Sequence, residues 1–169
     1  MIMIIMINMI TSLQYIIMSS ETNHAIQHIY KVDIDFDEAE KAWRENKKYI
    51  GNIGVYGSRA ANFAIQNSDL VISLGSRLDT RITGGRPDTF ARNSKIIMVD
   101  IDRGELSKRR GMLPFMEINA NVSIFLKLFE KQINKVSIKN NKNHISWLNK
   151  TSEWKNKYPT VLKNFAHSN

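Results

Sequence analysis

Two arginines and an aspartate stand at alternate positions near the middle of this 169-residue chain, in GSRLDTRITGG (75–85). Arg77 and Arg81 are planar, permanently charged groups that suit phosphates or the faces of flat rings. Asp79 lies between them and can orient an arginine or accept a hydrogen bond from a ribose. The segment has the chemistry of a nucleotide-binding loop. The alternative is a surface loop whose arginines pair with Asp79 and Asp88.

A second set of candidates follows the apolar run that ends in VDID (99–102). An acidic residue at the end of a parallel strand can bind a ribose hydroxyl, which makes Asp100 a candidate. Asp102 is better placed to cap the helix that follows. The glycine-rich turn GNIGVYG (51–57) also opens a helix, but its GxxGxxG spacing departs from the GxGxxG fingerprint of dinucleotide sites.

The chain offers little for catalysis or for metal binding. His24 and His28 are four residues apart, but no third ligand stands near them in the sequence. The serines lie outside any GxSxG context, and no histidine and aspartate complete a triad. The absence of cysteine excludes disulfides and thiolate chemistry. We therefore expect no catalytic residue and no metal site in these 169 residues.

Short apolar runs separated by helical segments must position these candidates. LVISL (70–74) and KIIMVDID (95–102) are continuous and rich in β-branched residues, as is typical of strands covered on both faces. The other predicted elements around them are helices over 58–68, 103–109 and 121–133 and a strand over 112–118. Strands joined by helical crossovers indicate a parallel sheet. We predict an α/β fold with a three-layer, Rossmann-like parallel sheet and a helical or extended C-terminal linker.

Composition divides the chain into three parts. Residues 1–34 are a leader of uncertain role. A spanning helix needs about 20 mainly apolar residues, and the apolar start of this leader is interrupted by polar residues. The leader also lacks a signal-peptide pattern. It ends in a predicted strand, HIYKVDI (28–34). Residues 35–135 form the α/β domain and begin with a predicted amphipathic helix, and residues 136–169 form a basic linker. We expect a cytoplasmic protein that does not associate with membranes.

The net charge of +8 lies almost wholly in the C-terminal segment. Residues 1–122 carry 15 Lys and Arg against 14 Asp and Glu, whereas residues 123–169 carry nine Lys against two Glu. That segment has no arginine, the residue best suited to bidentate phosphate or base contacts. A solvated helix face or a linker is the better interpretation, and we expect no nucleic-acid partner.

A resemblance to a known family runs through two blocks, GNIGVYGSRAANFAIQNSDLVISLGSRLDTRITGG and FARNSKIIMVDIDRGEL. They resemble the central domain of thiamine diphosphate-dependent enzymes of the acetolactate (acetohydroxyacid) synthase type. The order is the family's: a glycine turn, a helix with Asn62 and Ala64, a strand, the pattern G-(S/A)-R-(L/F)-D-x-R-(I/V)-T-G and an acidic strand end. The resemblance extends from about Tyr49 to Phe129, and the two blocks at this separation make it specific.

The resemblance implies a site for a flavin. In the flavin-containing members this domain holds FAD, which has no redox part in the main reaction, whereas other members carry no flavin. Where the family has an aspartate before the last helix, this chain has Asn121. The residues that match the family's cofactor-binding positions are Gly54, Tyr56, Gly75, Ser76, Arg77, Asp79, Arg81, Ile82 and Asp100.

The resemblance also implies that catalysis belongs to other domains. In the family, a pyrimidine-binding domain activates thiamine diphosphate, and a domain with a GDG motif holds Mg²⁺ and the diphosphate. No GDG occurs in this sequence. We therefore expect a fragment, split or truncated, that is inactive alone and whose partners are those two domains, with homo-oligomers in the full-length relative. The alternatives are a stand-alone flavin or nucleotide binding module and a scaffold that docks separately encoded catalytic domains.

Overall fold

A computed structural model describes residues 3–7, 16–18, 48–133 and 142–159. Its strands are β1 (Met3–Ile7), β2 (Ile16–Met18), β3 (Leu70–Leu74), β4 (Lys95–Asp100) and β5 (Met116–Asn119). Its α-helices are α1 (Arg59–Gln66), α2 (Thr80–Thr83), α3 (Arg103–Lys108), α4 (Val122–Ile133) and α5 (Lys142–Lys157), and a 3₁₀ turn spans Pro87–Thr89. The predicted strand at 28–34 and most of the helix predicted after it lie outside the described residues.

The strands form one sheet in the order β2-β1-β3-β4-β5. β3, β4 and β5 are parallel, and the β3–β4 register runs from Leu70 opposite Lys95 to Leu74 opposite Val99. This confirms the predicted α/β fold with a parallel sheet. β1 departs from that pattern, because it pairs antiparallel with both β2 and β3. An antiparallel hairpin therefore extends the parallel part of the sheet on its β3 side.

The two faces of the sheet have separate hydrophobic clusters, because side chains alternate along each strand. On one face, Ile72 and Val99 pack against Phe125 and Phe129 of α4, whose rings stack with centroids 5.2 Å apart. On the other face, the cluster that includes α1 and α3 contains Val71, Met98 and Leu106. Helices on both faces make the three layers expected from the continuous apolar strands.

Two strands, β4 and β5, are shorter than the sequence predicts, and each has a local cause. β4 ends at Asp100 because Asp102 turns out of the strand to cap α3, where its Oδ1 accepts hydrogen bonds from the backbone N–H groups of Gly104 at 2.7 Å and Glu105 at 3.4 Å. β5 begins at Met116 rather than at residue 112. Pro114 has no N–H to contribute to a strand ladder.

The basic C-terminal segment contributes a helix that packs on the domain. Trp147 of α5 is buried in the same cluster as α1, and its ring meets that of Trp154 edge-on at 5.9 Å. Trp154 lies 5.9 Å from the ring of Phe63 in α1. Lys155 donates a hydrogen bond of 2.6 Å to the carbonyl of Tyr49. These contacts attach α5 to α1, on the face of the sheet that α1 covers.

The leading hairpin covers the edge of β3 that the parallel strands leave open. An uncovered strand edge presents unpaired N–H and C=O groups and favours association with other chains. All five residues of β1 pair with β3, from Met3 opposite Leu74 to Ile7 opposite Leu70. None of the helices among the described residues is long and apolar enough to cross a membrane.

Ile5→Pro tests the contribution of this hairpin. Ile5 pairs with Ile16 of β2 on one side and with Ile72 of β3 on the other, so its N–H belongs to a ladder in either case. A proline removes that donor, and the cost should be on the order of 1–3 kcal/mol of unfolding free energy because an acceptor loses its partner. Ile5→Val keeps the N–H and is the control. Equal denaturant midpoints for the two variants would contradict the pairing.

Candidate functional site

The arginine loop, residues 75–85, leaves β3 at its carboxyl end. Gly75 has a φ of +60°, and its N–H donates a 2.8 Å hydrogen bond to the carbonyl of Val99 in β4. The loop therefore begins level with the end of the neighbouring strand, which is where Asp100 lies. Ligands of open α/β sheets bind outside the carboxyl ends of parallel strands. The structure brings the predicted residues of both strands to that edge.

Side chains of the arginine loop are divided between the interior and the solvent. Ser76, Leu78 and Ile82 are buried, whereas Arg77 and Arg81 are exposed. The Leu78 backbone adopts a φ of +44°, a left-handed conformation that costs a non-glycine residue about 1–3 kcal/mol. Full burial of a leucine contributes about 1.5–3 kcal/mol, so the two effects nearly cancel. Other contacts must therefore hold this loop in place.

Asp79 acts within the loop as a helix cap. Its Oδ1 accepts a 3.0 Å hydrogen bond from the backbone N–H of Arg81, and its carbonyl accepts bonds of 2.9 Å from both the N–H and the hydroxyl of Thr83. Asp88 forms its ion pair with Arg86 at 2.7 Å. Within the part of the chain that the structure describes, the Arg77 guanidinium has no carboxylate partner. The surface-loop alternative, in which Asp79 and Asp88 neutralise it, does not describe Arg77.

The glycine turn, residues 51–57, docks against the arginine loop. The Val55 N–H donates a 2.8 Å hydrogen bond to the carbonyl of Arg81. Gly54 and the side chain of Asn62 exchange two bonds of 2.9 Å, which fixes the turn on α1. Gly54 has a φ of +98°, and a Cβ on it would lie 2.2 Å from the Arg81 carbonyl oxygen. Only glycine permits this close approach of the turn to Arg81. Tyr56, at the tip of the turn, is 91% exposed.

Asp100 is buried at the end of β4 and is partly engaged. Its Oδ1 accepts a 2.8 Å hydrogen bond from the N–H of Asp102, and its backbone carbonyl accepts one of 3.1 Å from the Asn119 amide. Its second carboxylate oxygen accepts no hydrogen bond from the described residues. Asn121 caps α4, because its Oδ1 accepts a 2.9 Å hydrogen bond from the N–H of Ser123.

Two residues that the sequence pattern did not single out connect α3 to the arginine loop. Glu105 is buried and pairs with Lys108 and, at 2.7 Å, with the Arg110 guanidinium. Hydrogen bonds from Lys108 and Arg110 lower the pKa of Glu105 to about 2. The other nitrogen of the Arg110 fork donates a 2.7 Å bond to the carbonyl of Arg77. The spacing of Glu105 and Lys108 predicts their pair, but no local signal marks the contact of Arg110 with a residue 33 positions away.

An open cavity of about 480 Å³ is lined by residues of α3 and β5 and by none of the arginine loop. The ion pair of Arg109 with Glu117, at 2.8 Å, forms part of its lining. Arg103 and Asn119 also line it. No group of three or more histidine, aspartate or glutamate side chains in the described ranges could hold a metal ion.

Comparison with known proteins decides the family. The model of the thiamine pyrophosphate enzyme central domain matches residues 39–128, a range that contains the glycine turn, the arginine loop and Asp100. This chain belongs to that family. It is a central domain of acetolactate synthase-like thiamine pyrophosphate enzymes, which confirms the resemblance seen in the sequence. The β1–β2 hairpin precedes the matched range.

The relatives of this central domain are much longer proteins. It is 38% identical over 118 residues to the acetolactate synthase large subunit of Cyanidium caldarium, an alignment that covers 69% of this chain and 20% of the relative. It is 33% identical over 141 residues to that of Porphyra purpurea, covering 79% and 22%. It is 47% identical over 62 residues to the acetolactate synthase isozyme 2 large subunit of Escherichia coli (strain K12), covering 37% and 11%. The chain thus spans about a fifth of the length of the first two relatives.

Gly54→Ala tests the docking of the glycine turn. The added methyl group would collide with the Arg81 carbonyl and would hold alanine in a left-handed backbone. We expect a loss of at least about 1–3 kcal/mol of unfolding free energy, measured by denaturant titration. Gly85→Ala is the matched control, because a Cβ there meets nothing within 4 Å. A similar loss in both variants would contradict the contact.

Glu105→Gln tests the carboxylate that holds Arg110. The folded-state pKa of Glu105 is about 2, below its ordinary value of 4.5, so the ionised group stabilises the fold above pH 4.5. This contribution disappears as the pH falls from 4.5 towards 2. The difference in unfolding free energy between wild type and variant should therefore be largest at neutral pH and shrink over that range. A difference that stays constant with pH would refute this role of the carboxylate.

Proposed function

We propose that this central domain works within an acetolactate synthase-like enzyme that decarboxylates a 2-oxo acid and joins the product to an acceptor. The support is the family match together with three relatives that are named as large subunits of acetolactate synthase. Thiamine diphosphate supplies the electron sink for such chemistry. The proposal assigns that cofactor and Mg²⁺ to the pyrimidine-binding and diphosphate-binding domains, which are the partners of this chain in a cytoplasmic homo-oligomer.

The role of this domain is to bind FAD at the arginine loop. The observation that carries the proposal is the exposed Arg77 guanidinium, which has no carboxylate partner among the described residues and lies at the carboxyl edge of the sheet. A guanidinium forms strong, charge-assisted bonds with the oxygens of a diphosphate. At the same edge, the Asp100 oxygen that accepts no bond from the described residues can accept one from a ribose hydroxyl. The donor set therefore fits a dinucleotide.

The remaining candidates shape this site. Hydrogen bonds of Asp79, Gly75, Ser76 and Ile82 hold the arginine loop in its conformation. Gly54 allows the turn that carries Tyr56 to approach Arg81. Arg81 and Tyr56 are exposed on the two segments that meet there. FAD bound at this site would have a structural part, since the proposed reaction transfers no hydride to it.

Arg77→Ala tests the flavin site. Wild-type protein should bind FAD, seen as a retained yellow chromophore, a raised melting temperature and a measurable calorimetric titration. Loss of a hydrogen bond from a charged group costs about 1.5–3 kcal/mol, so the variant should bind at least about tenfold more weakly. Arg92→Ala is the matched control, because Arg92 is exposed just before β4, at the opposite end of the strands.

Three outcomes separate the candidate functions. Binding of FAD that Arg77→Ala weakens and Arg92→Ala leaves unchanged supports the flavin site. Binding of ADP with the affinity of FAD favours a nucleotide module in place of a flavin domain. A colourless protein whose melting temperature FAD does not change would overturn the proposal.

A further inference from the structure

One side chain bridges two parts of the candidate site that the sequence separates. The Arg110 guanidinium binds the Glu105 carboxylate with one nitrogen and the carbonyl of Arg77 with the other, both at 2.7 Å. Glu105 is one of the buried residues of α3, whereas Arg77 is an exposed residue of the arginine loop. The contact therefore ties the loop to a buried anchor.

The arginine loop needs such an anchor next to Arg77. Leu78 is fully buried but sits in a left-handed conformation, so its burial and its backbone strain nearly cancel. The cap of Asp79 and the docked turn hold the loop at Arg81, on the far side of Leu78. Among the described residues, the Arg110 bond is the side-chain contact that holds the Arg77 backbone.

We propose that Arg110, held by Glu105, is a positioning residue that sets the direction in which the Arg77 guanidinium projects. The proposal rests on the proposed function, in which Arg77 meets the diphosphate of FAD. A fixed carbonyl at Arg77 reduces the backbone freedom that a ligand would otherwise have to remove on binding. Arg110 does not itself touch the ligand in this scheme.

The guanidinium of Arg110 and the backbone around this residue suit a positioning role. A guanidinium presents its donors in a planar fork and can satisfy two acceptors at once, which a lysine ammonium does with less geometric control. Arg109, Arg110 and Gly111 all have positive φ values, which turns the chain back from α3. The following Met112 is buried in the core cluster and anchors that turn. Arg109 pairs instead with Glu117 of β5.

Limited trypsin digestion without any ligand gives the first test. Cleavage after Arg77 requires the loop to open, because Leu78 is fully buried, and its rate follows the population of the opened state. Arg110→Ala should raise this rate at least about tenfold, the factor that corresponds to losing one charge-assisted hydrogen bond. Arg110→Lys should restore part of the protection.

Two matched controls isolate the bond to the loop. Arg109→Ala removes the neighbouring arginine and its surface ion pair, and Lys108→Ala removes the other partner of Glu105. Both should leave the cleavage rate after Arg77 within about twofold of wild type, because ion pairs of exposed cations contribute little and neither variant removes the bond to the Arg77 carbonyl. An equal rise in Arg109→Ala and Arg110→Ala would overturn the proposal. If Arg110→Ala does not fold, Glu105→Gln takes its place and must show faster cleavage than Lys108→Ala.

FAD affinity gives the second test and separates this proposal from the proposed function. Where wild-type protein binds FAD, Arg110→Ala should weaken binding about tenfold while Arg109→Ala does not, and Arg110→Lys should recover part of the affinity. Unchanged affinity in Arg110→Ala would overturn the positioning role while leaving the flavin site intact. Failure of wild type to bind FAD would refute the flavin site, and the ligand-free digestion would still decide whether Arg110 holds the loop.

Discussion

The parallel pairing of β3 with β4 is the constraint on which the rest of the structure depends. It aligns Leu74 with Val99, so that Gly75 and Asp100 follow at the same edge of the sheet. The ladder holds only because both faces are covered, by α4 on one side and by the cluster of α1 and α3 on the other. Everything proposed about the site follows from two strands that end together.

Hydrogen bonds to backbone groups of the arginine loop, rather than pairs of side chains, organise that edge. The carbonyl of Arg77 meets Arg110, the carbonyl of Arg81 meets the glycine turn, and the N–H of Arg81 meets Asp79. The side chain of Arg77 is left to project from a loop that is held on both sides of the strained Leu78. This arrangement suits a binding site, because a rigid backbone around a charged group lowers the conformational entropy that the group loses when a ligand binds.

The hairpin adds a feature that lies outside the family match. Residues 39–128 match the central domain, yet β1 and β2, which come before them, supply two strands of the sheet. β1 runs antiparallel to β3 and covers the edge that the parallel strands leave open. Among the described strands, the edges of the sheet are therefore β2 and β5, and Phe115 and Met116 are exposed at the start of β5.

Local pattern determined a good part of this protein. β-branched runs identified β3 and β4, apolar spacing identified α4, and the arginine and glycine motifs pointed to both the family and the edge of the sheet where the candidates lie. Only the tertiary structure decided that β1 pairs antiparallel with β3, that Gly54 packs on Arg81 and that Arg110 holds Arg77. These contacts join segments far apart in the chain, which composition and periodicity do not reveal. The contact of Arg110 with Arg77 also involves left-handed backbone at Leu78 and Arg110, a conformation that those residue types do not favour.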